Sequence, residues 1–150
     1  MAGILSSLRN TVIAGFVLAF LLELMYLNSG GTFDTTFWAF LFRWLHVLSG
    51  IMWIGLLYYF NFVQIPNMPN IPDEQKPAIS KVIAPAALWW FRWGAMLTFL
   101  TGAYLFHKIG ALGNTMPAIW MGALAGTFMF LNVWLVIWPN QQIVLGMKEG

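Results

Sequence analysis

Apolar residues dominate four long stretches of this sequence, at 11–27, 37–62, 86–107 and 118–138, with polar or proline-rich segments between them. None alternates as a half-buried strand does, and each approaches or exceeds the ~20 residues that carry a helix across ~30 Å of hydrocarbon. The pattern predicts an all-α, integral membrane four-helix bundle, a single transmembrane domain over residues 1–150. The first stretch is interrupted by Glu23 and is followed by Tyr26-Leu27-Asn28-Ser29-Gly30-Gly31. That segment lacks an A-x-A-like cleavage site, so a retained helix is preferred to a signal peptide.

The breaks have their own chemistry. Gly30-Gly31 predicts a turn, with Asp34 or Thr35 capping the second helix. Residues 63–85 hold Pro66, Pro69, Pro72, Pro77 and Pro85. The three-residue step of the first three predicts an extended polyproline path in a cytoplasmic loop, because each ring fixes φ and removes a donor. A short surface helix is expected over 73–83, acidic at its start and basic at its end. A short loop over 108–117 and a polar stub over 147–150 complete the plan. Trp38 and Trp44 at one end of the second helix, Tyr58 and Tyr59 at the other, and Trp89, Trp90 and Trp93 at the start of the third suit interfacial aromatic belts. Gly94, Thr98 and Gly102, and then Gly122 and Gly126, recur at four residues and predict faces where another backbone approaches closely.

Composition turns this pattern into a solvent assignment. Hydrophobic residues make up 60% of the 150 and charged ones only 8%, against about a quarter in soluble domains. The lipid bilayer is the expected surrounding. Arg9, Lys76, Lys81 and Lys148 fall on one side of four spans and Lys108 on the other, which places both termini in the cytoplasm. No Lys/Arg run reads as a nucleic-acid surface. With no cysteine, thiolate metal sites and covalent haem attachment are excluded for this sequence.

Arg43 and His46 are the ionisable pair inside the second apolar stretch. Three residues apart, they share one helix face, and charge within a bilayer calls for a partner or a cofactor. Glu23 falls at a similar depth in the first helix and is the expected ion partner of Arg43. His46 has two readings. It is a ligand to haem b or another metal, with Ser49 and Gly50 leaving room for a flat macrocycle and Trp53 packing its edge. Alternatively it is a neutral histidine hydrogen-bonded to a carbonyl or to another helix. His107, beside Lys108, reads as interfacial, about 10 Å from His46 in depth at ~1.5 Å per residue. There is no Ser-His-Asp set, no pair of intramembrane carboxylates and no phosphate loop, so no catalytic residue is assigned.

Arg43-Trp44-Leu45-His46-Val47 followed by Gly50-Ile51-Met52-Trp53-Ile54-Gly55 resembles the membrane domain of the PuuD-type urate hydroxylase family, the urate oxidase N-terminal domain. Similar blocks follow at Tyr59-Phe60-Asn61-Phe62-Val63-Gln64, Trp90-Phe91-Arg92-Trp93-Gly94-Ala95, Leu131-Asn132-Val133-Trp134 and Ile137-Trp138-Pro139-Asn140-Gln141. The resemblance covers the larger part of the chain, and corresponds to about the first half of that membrane domain. It implies a redox domain of the bacterial inner membrane, linked in the family to oxidation of urate to 5-hydroxyisourate with electrons leaving through a cytochrome c. The histidine-bearing helix is also similar to the haem-binding protoporphyrinogen oxidase of the HemJ type. By position, His46 matches the signature histidine, with Arg43 and Trp53 as its companions. The expected function is a membrane redox component with haem b on His46. The rival is a non-catalytic accessory subunit packed with other membrane subunits or with copies of itself. A small transporter is weaker, since neither an internal repeat nor a broken midplane helix is visible.

Overall fold

A computed structural model describes residues 2–108 and 117–148, and every ordered segment in it is helical. We number the helices α1 (Ala2–Leu5), α2 (Leu8–Asn28), α3 (Thr35–Asn70), α4 (76–108) and α5 (Pro117–Val144). Among the described residues there are therefore five helices, not the four expected. The additional one is the four-residue α1, set off from α2 at Ser7. Most of the expected 108–117 loop and the end of the 147–150 stub lie outside the described residues. Three helices, α2, α3 and α5, are long and apolar enough to cross a membrane. The chain is a multi-pass membrane protein by length and composition.

The chain divides into two compact units, 1–38 and 39–150. In the first, Thr11 Oγ1 reaches back to the carbonyls of Ile4 (2.8 Å) and Ser7 (3.0 Å), which ties α1 onto α2. Helix α2 buries none of its residues. It ends in the expected turn, where Gly30 takes φ +87°, a left-handed conformation that glycine adopts without a Cβ clash. Asp34 Oδ1 accepts from the Phe37 N–H at 2.8 Å, the predicted cap of α3.

The second unit is built around α4. Ala84, Leu88, Phe91, Gly94, Ala95 and Thr101 are its buried residues, whereas α3 buries Ser49 and Trp53 and α5 buries Val133. Helix α4 runs antiparallel to both neighbours. Phe42 stacks on Tyr104 (3.8 Å between centroids), and Phe60 meets Phe91 edge-on (6.0 Å), which fixes the α3–α4 register. Phe99 stacks on Phe130 (4.3 Å), and Phe106 packs against Trp120 (5.0 Å), which fixes that of α4 and α5. Large apolar side chains such as Ile51, Leu97 and Phe128 are exposed, the arrangement suited to a hydrocarbon surround.

The proline-rich segment departs from expectation. Helix continues through Pro66 to Asn70, breaks only over 71–75 and resumes at Lys76, so 63–85 is neither a long loop nor an extended path. Residues 76–83 belong to α4 instead of a separate surface helix. The prolines are accommodated in two ways. Pro77 sits in the first turn of α4, where its missing N–H would have no partner in any case. Pro66, Pro85 and Pro139 each follow a π-helical turn, Tyr59–Gln64, Ile79–Ile83 and Val133–Ile137, that ends two residues earlier. A proline ring collides with the carbonyl a turn before it and deprives that carbonyl of a donor. A widened turn shifts those carbonyls to an i+5 partner and keeps the helix going.

At the end of the bundle that holds these turns, the Arg92 guanidinium carbon lies 3.6 Å from the Trp138 ring centroid and 5.4 Å from that of Trp134. This cation–π contact ties α4 to the proline end of α5. Arg92→Gln is expected to lower stability by about 1 kcal/mol, read as an earlier thermal unfolding transition in detergent.

Candidate functional site

His46 is placed by three features of α4. Its Nδ1 donates to the Thr98 carbonyl oxygen at 2.9 Å, with the Thr101 hydroxyl oxygen at 3.2 Å. A carbonyl oxygen only accepts, so the hydrogen is on Nδ1, and in the neutral ring Nε2 holds the lone pair. Gly102 makes the approach possible, because a Cβ there would lie 2.9 Å from His46 Cε1 and 3.2 Å from Nδ1. The hydrogen-bonded reading of His46 is therefore realised at Nδ1, and the ligand reading concerns Nε2.

The four-residue repeat on α4 is used against α3 along its length. A Cβ on Gly94 would lie 3.4 Å from the Trp53 backbone nitrogen. Between Gly94 and Gly102, the Thr98 hydroxyl is 3.0 Å from the Ser49 hydroxyl and 2.8 Å from the Gly94 carbonyl oxygen. Ser49 in turn donates to the Leu45 carbonyl at 2.7 Å. Thr98 packs against this part of α3, its methyl 3.8 Å from where a Cβ on Gly50 would be.

The room lies one step round. A cavity of about 530 Å3 opens between α4 and α5, with His46 and Trp53 contributing from α3. Gly102 and Ala103 line it from α4, and Gly122, Ala123 and Gly126 from α5. Gly122 and Gly126 have open space where a Cβ would be, so the second small-residue face borders a void. Its volume falls in the ~300–1,000 Å3 of small-molecule sites. Of the four residues singled out from the sequence, His46 and Trp53 line the cavity, Gly50 faces Thr98, and Arg43 is exposed on α3 outside the lining. His107 is exposed in the last turn of α4, as an interfacial histidine would be.

Thr98 and Thr101 were not foreseen as partners of His46. The signal was the Thr98-x-x-Thr101-Gly102 run, in which the glycine marks close approach but does not say what approaches. Among the described residues no group of three or more His, Cys, Asp or Glu gathers into a metal site. Searches of family models, of curated proteins and of solved structures return no match to this chain.

Proposed function

We propose that this chain is a membrane redox component that holds haem b in the α4–α5 cavity through Nε2 of His46 and passes electrons to a partner, in the manner of the PuuD-type membrane domain it resembles. The observation that carries the reading is the 2.9 Å bond from Nδ1 to the Thr98 carbonyl. Metal-ligating histidines almost always donate their other ring N–H to a carbonyl, carboxylate or water, which fixes the tautomer and makes the free nitrogen more basic. The lining suits a flat group, with glycine and alanine on two helices, Phe99 on α4 and no charged side chain.

When bound, haem b would supply a one-electron iron couple. The chain's own contribution is to hold the imidazole as a neutral ligand, to keep water from the macrocycle face with Phe99 and Phe106, and to set the iron's environment through the Thr98 carbonyl. A cytochrome c is the proposed electron acceptor, and the bacterial inner membrane, with both termini cytoplasmic, the proposed location. Oxidation of urate belongs to the resemblance alone.

The purified protein is expected to show a Soret band that His46→Ala removes while helicity by circular dichroism is retained. A fully assembled preparation without that band, or a band that survives the substitution, overturns the reading. The accessory-subunit reading is supported by the open space beside Gly122 and Gly126, which is room for a neighbouring helix. A monomer in mild detergent that keeps its haem and turns over would count against it.

A further inference from the structure

Arg92 lies over the rings of Trp138 and Trp134, but among the described residues no carboxylate pairs with it. Asp73 is taken by Lys76 at 2.6 Å, and Nε of Arg92 is buried without an acceptor. Stacking occupies the flat face of a guanidinium and leaves its in-plane N–H groups to bond elsewhere. The residue is partly exposed, and no acceptor among the described residues bonds its terminal nitrogens. A ring carries no net charge, so this cation still lacks a counter-ion.

Its level in the bundle says which anions are within reach. Arg92 and Lys108 are 16 residues apart on α4, about 24 Å at ~1.5 Å per residue, against ~30 Å of hydrocarbon. The two cations therefore bracket the apolar layer. The aromatic rings agree. Trp89, Trp90 and Trp93 are exposed around Arg92, and ring contacts run from Trp90 through Trp89 and Trp93 to Trp134. On α3, the contact of Phe60 with Phe91 sets the exposed Tyr58 and Tyr59 at the same level. Tryptophan and tyrosine collect where the lipid headgroups lie, and the anions at that depth are phosphates.

We propose that Arg92, backed by Trp138, binds the phosphate of an anionic phospholipid, its terminal N–H groups donating to two phosphate oxygens. A planar fork matches the paired oxygens of a phosphodiester, and the ring beneath holds the fork in one orientation. Phosphatidylglycerol is favoured over phosphatidylcholine, whose headgroup brings its own cation to the phosphate. Arg92 is outside the lining of the α4–α5 cavity, so this site stands apart from the haem reading.

The test is a titration of the delipidated full chain, in mild detergent, with phosphatidylglycerol, phosphatidylcholine or inorganic phosphate. It is followed as the rise in thermal unfolding midpoint, with native mass spectrometry counting retained lipids. Wild type is compared with Arg92→Gln, Arg92→Lys and Lys81→Gln, each against its own lipid-free midpoint, so the lost contact with Trp138 cancels. Phosphatidylglycerol is expected to stabilise wild type at lower concentration than phosphatidylcholine, and inorganic phosphate to leave the midpoint unchanged. Arg92→Gln should need about tenfold more phosphatidylglycerol and should lose one retained lipid in the mass spectrum. Arg92→Lys, which keeps the charge without the fork, should fall between Arg92→Gln and wild type. Lys81→Gln, which removes an exposed charge from the same helix, should change the response less than Arg92→Gln. A wild-type response in Arg92→Gln or in Arg92→Lys overturns the proposal. So does an equal loss in Lys81→Gln, which would reveal general surface attraction, or an equal rise with phosphatidylcholine or inorganic phosphate.

Discussion

On the proposed haem reading, Gly102→Ala is expected to remove haem binding more completely than any change outside the cavity. The new methyl would stand 2.9 Å from His46 Cε1, closer than any real Cβ contact, so one of the two must move. Helix α4 is held by six buried residues, and the imidazole is the far end of a side chain, so the ring moves. Swinging it out breaks the bond from Nδ1 to the Thr98 carbonyl and with it the fixed tautomer. The stability cost is about 1–2 kcal/mol, one hydrogen bond with some strain. On the haem reading the functional cost is larger, because the displaced ring no longer holds Nε2 in a fixed place. Loss of the Soret band with only a small shift in thermal unfolding checks both parts. A normal band in Gly102→Ala would show that the ring's placement against α4 does not matter.

Phe91→Ala is expected to be the most destabilising single substitution in the second unit. Phe91 is 2% exposed and packs with Trp53, Leu88, Ala95 and Val133, its ring edge-on to Phe60. In a bilayer the usual transfer gain is small, since lipid tails are as apolar as the core. What remains is the void. At ~24 cal/mol per Å3, a void of roughly 100 Å3 costs about 2 kcal/mol, with the lost edge-to-face contact adding up to ~1 kcal/mol. Because Trp53 is in the same cluster, the cavity wall loosens too. A fall in unfolding midpoint larger than that of Arg92→Gln, in the same detergent, is the check.

The long helices and their capping were legible because their causes are local. Asp34 three residues before Phe37, and apolar runs longer than a strand, leave little choice to the backbone. The prolines misled for a local reason too. Read singly, Pro66 and Pro85 end helices, but a preceding π-helical turn relieves the clash, and the sequence carries no mark of that turn. The partner of His46 was hidden in a different way. It is a backbone carbonyl, which every residue possesses, using a second lone pair beside the bond expected to Gly102 within the helix. Only the glycine that admits the ring distinguishes Thr98 from its neighbours, and Gly94 shows that the same signal also serves plain backbone contact. The cavity lies beside Ala103 and Gly122 instead of at Ser49 and Gly50 for a related reason. Small residues permit close packing and open space alike, and which one results depends on the facing helix.

Helix α4 is the most enclosed of the described helices, and Arg92 is the charged residue in its interior, between Lys76 and Lys81 at its start and Lys108 at its end. Its stacking on α3 and α5, with the Trp138 ring over the guanidinium, gives that charge a partner its own helix does not supply. The central helix thus depends on the last turns of α5 for the cover of its one interior charge.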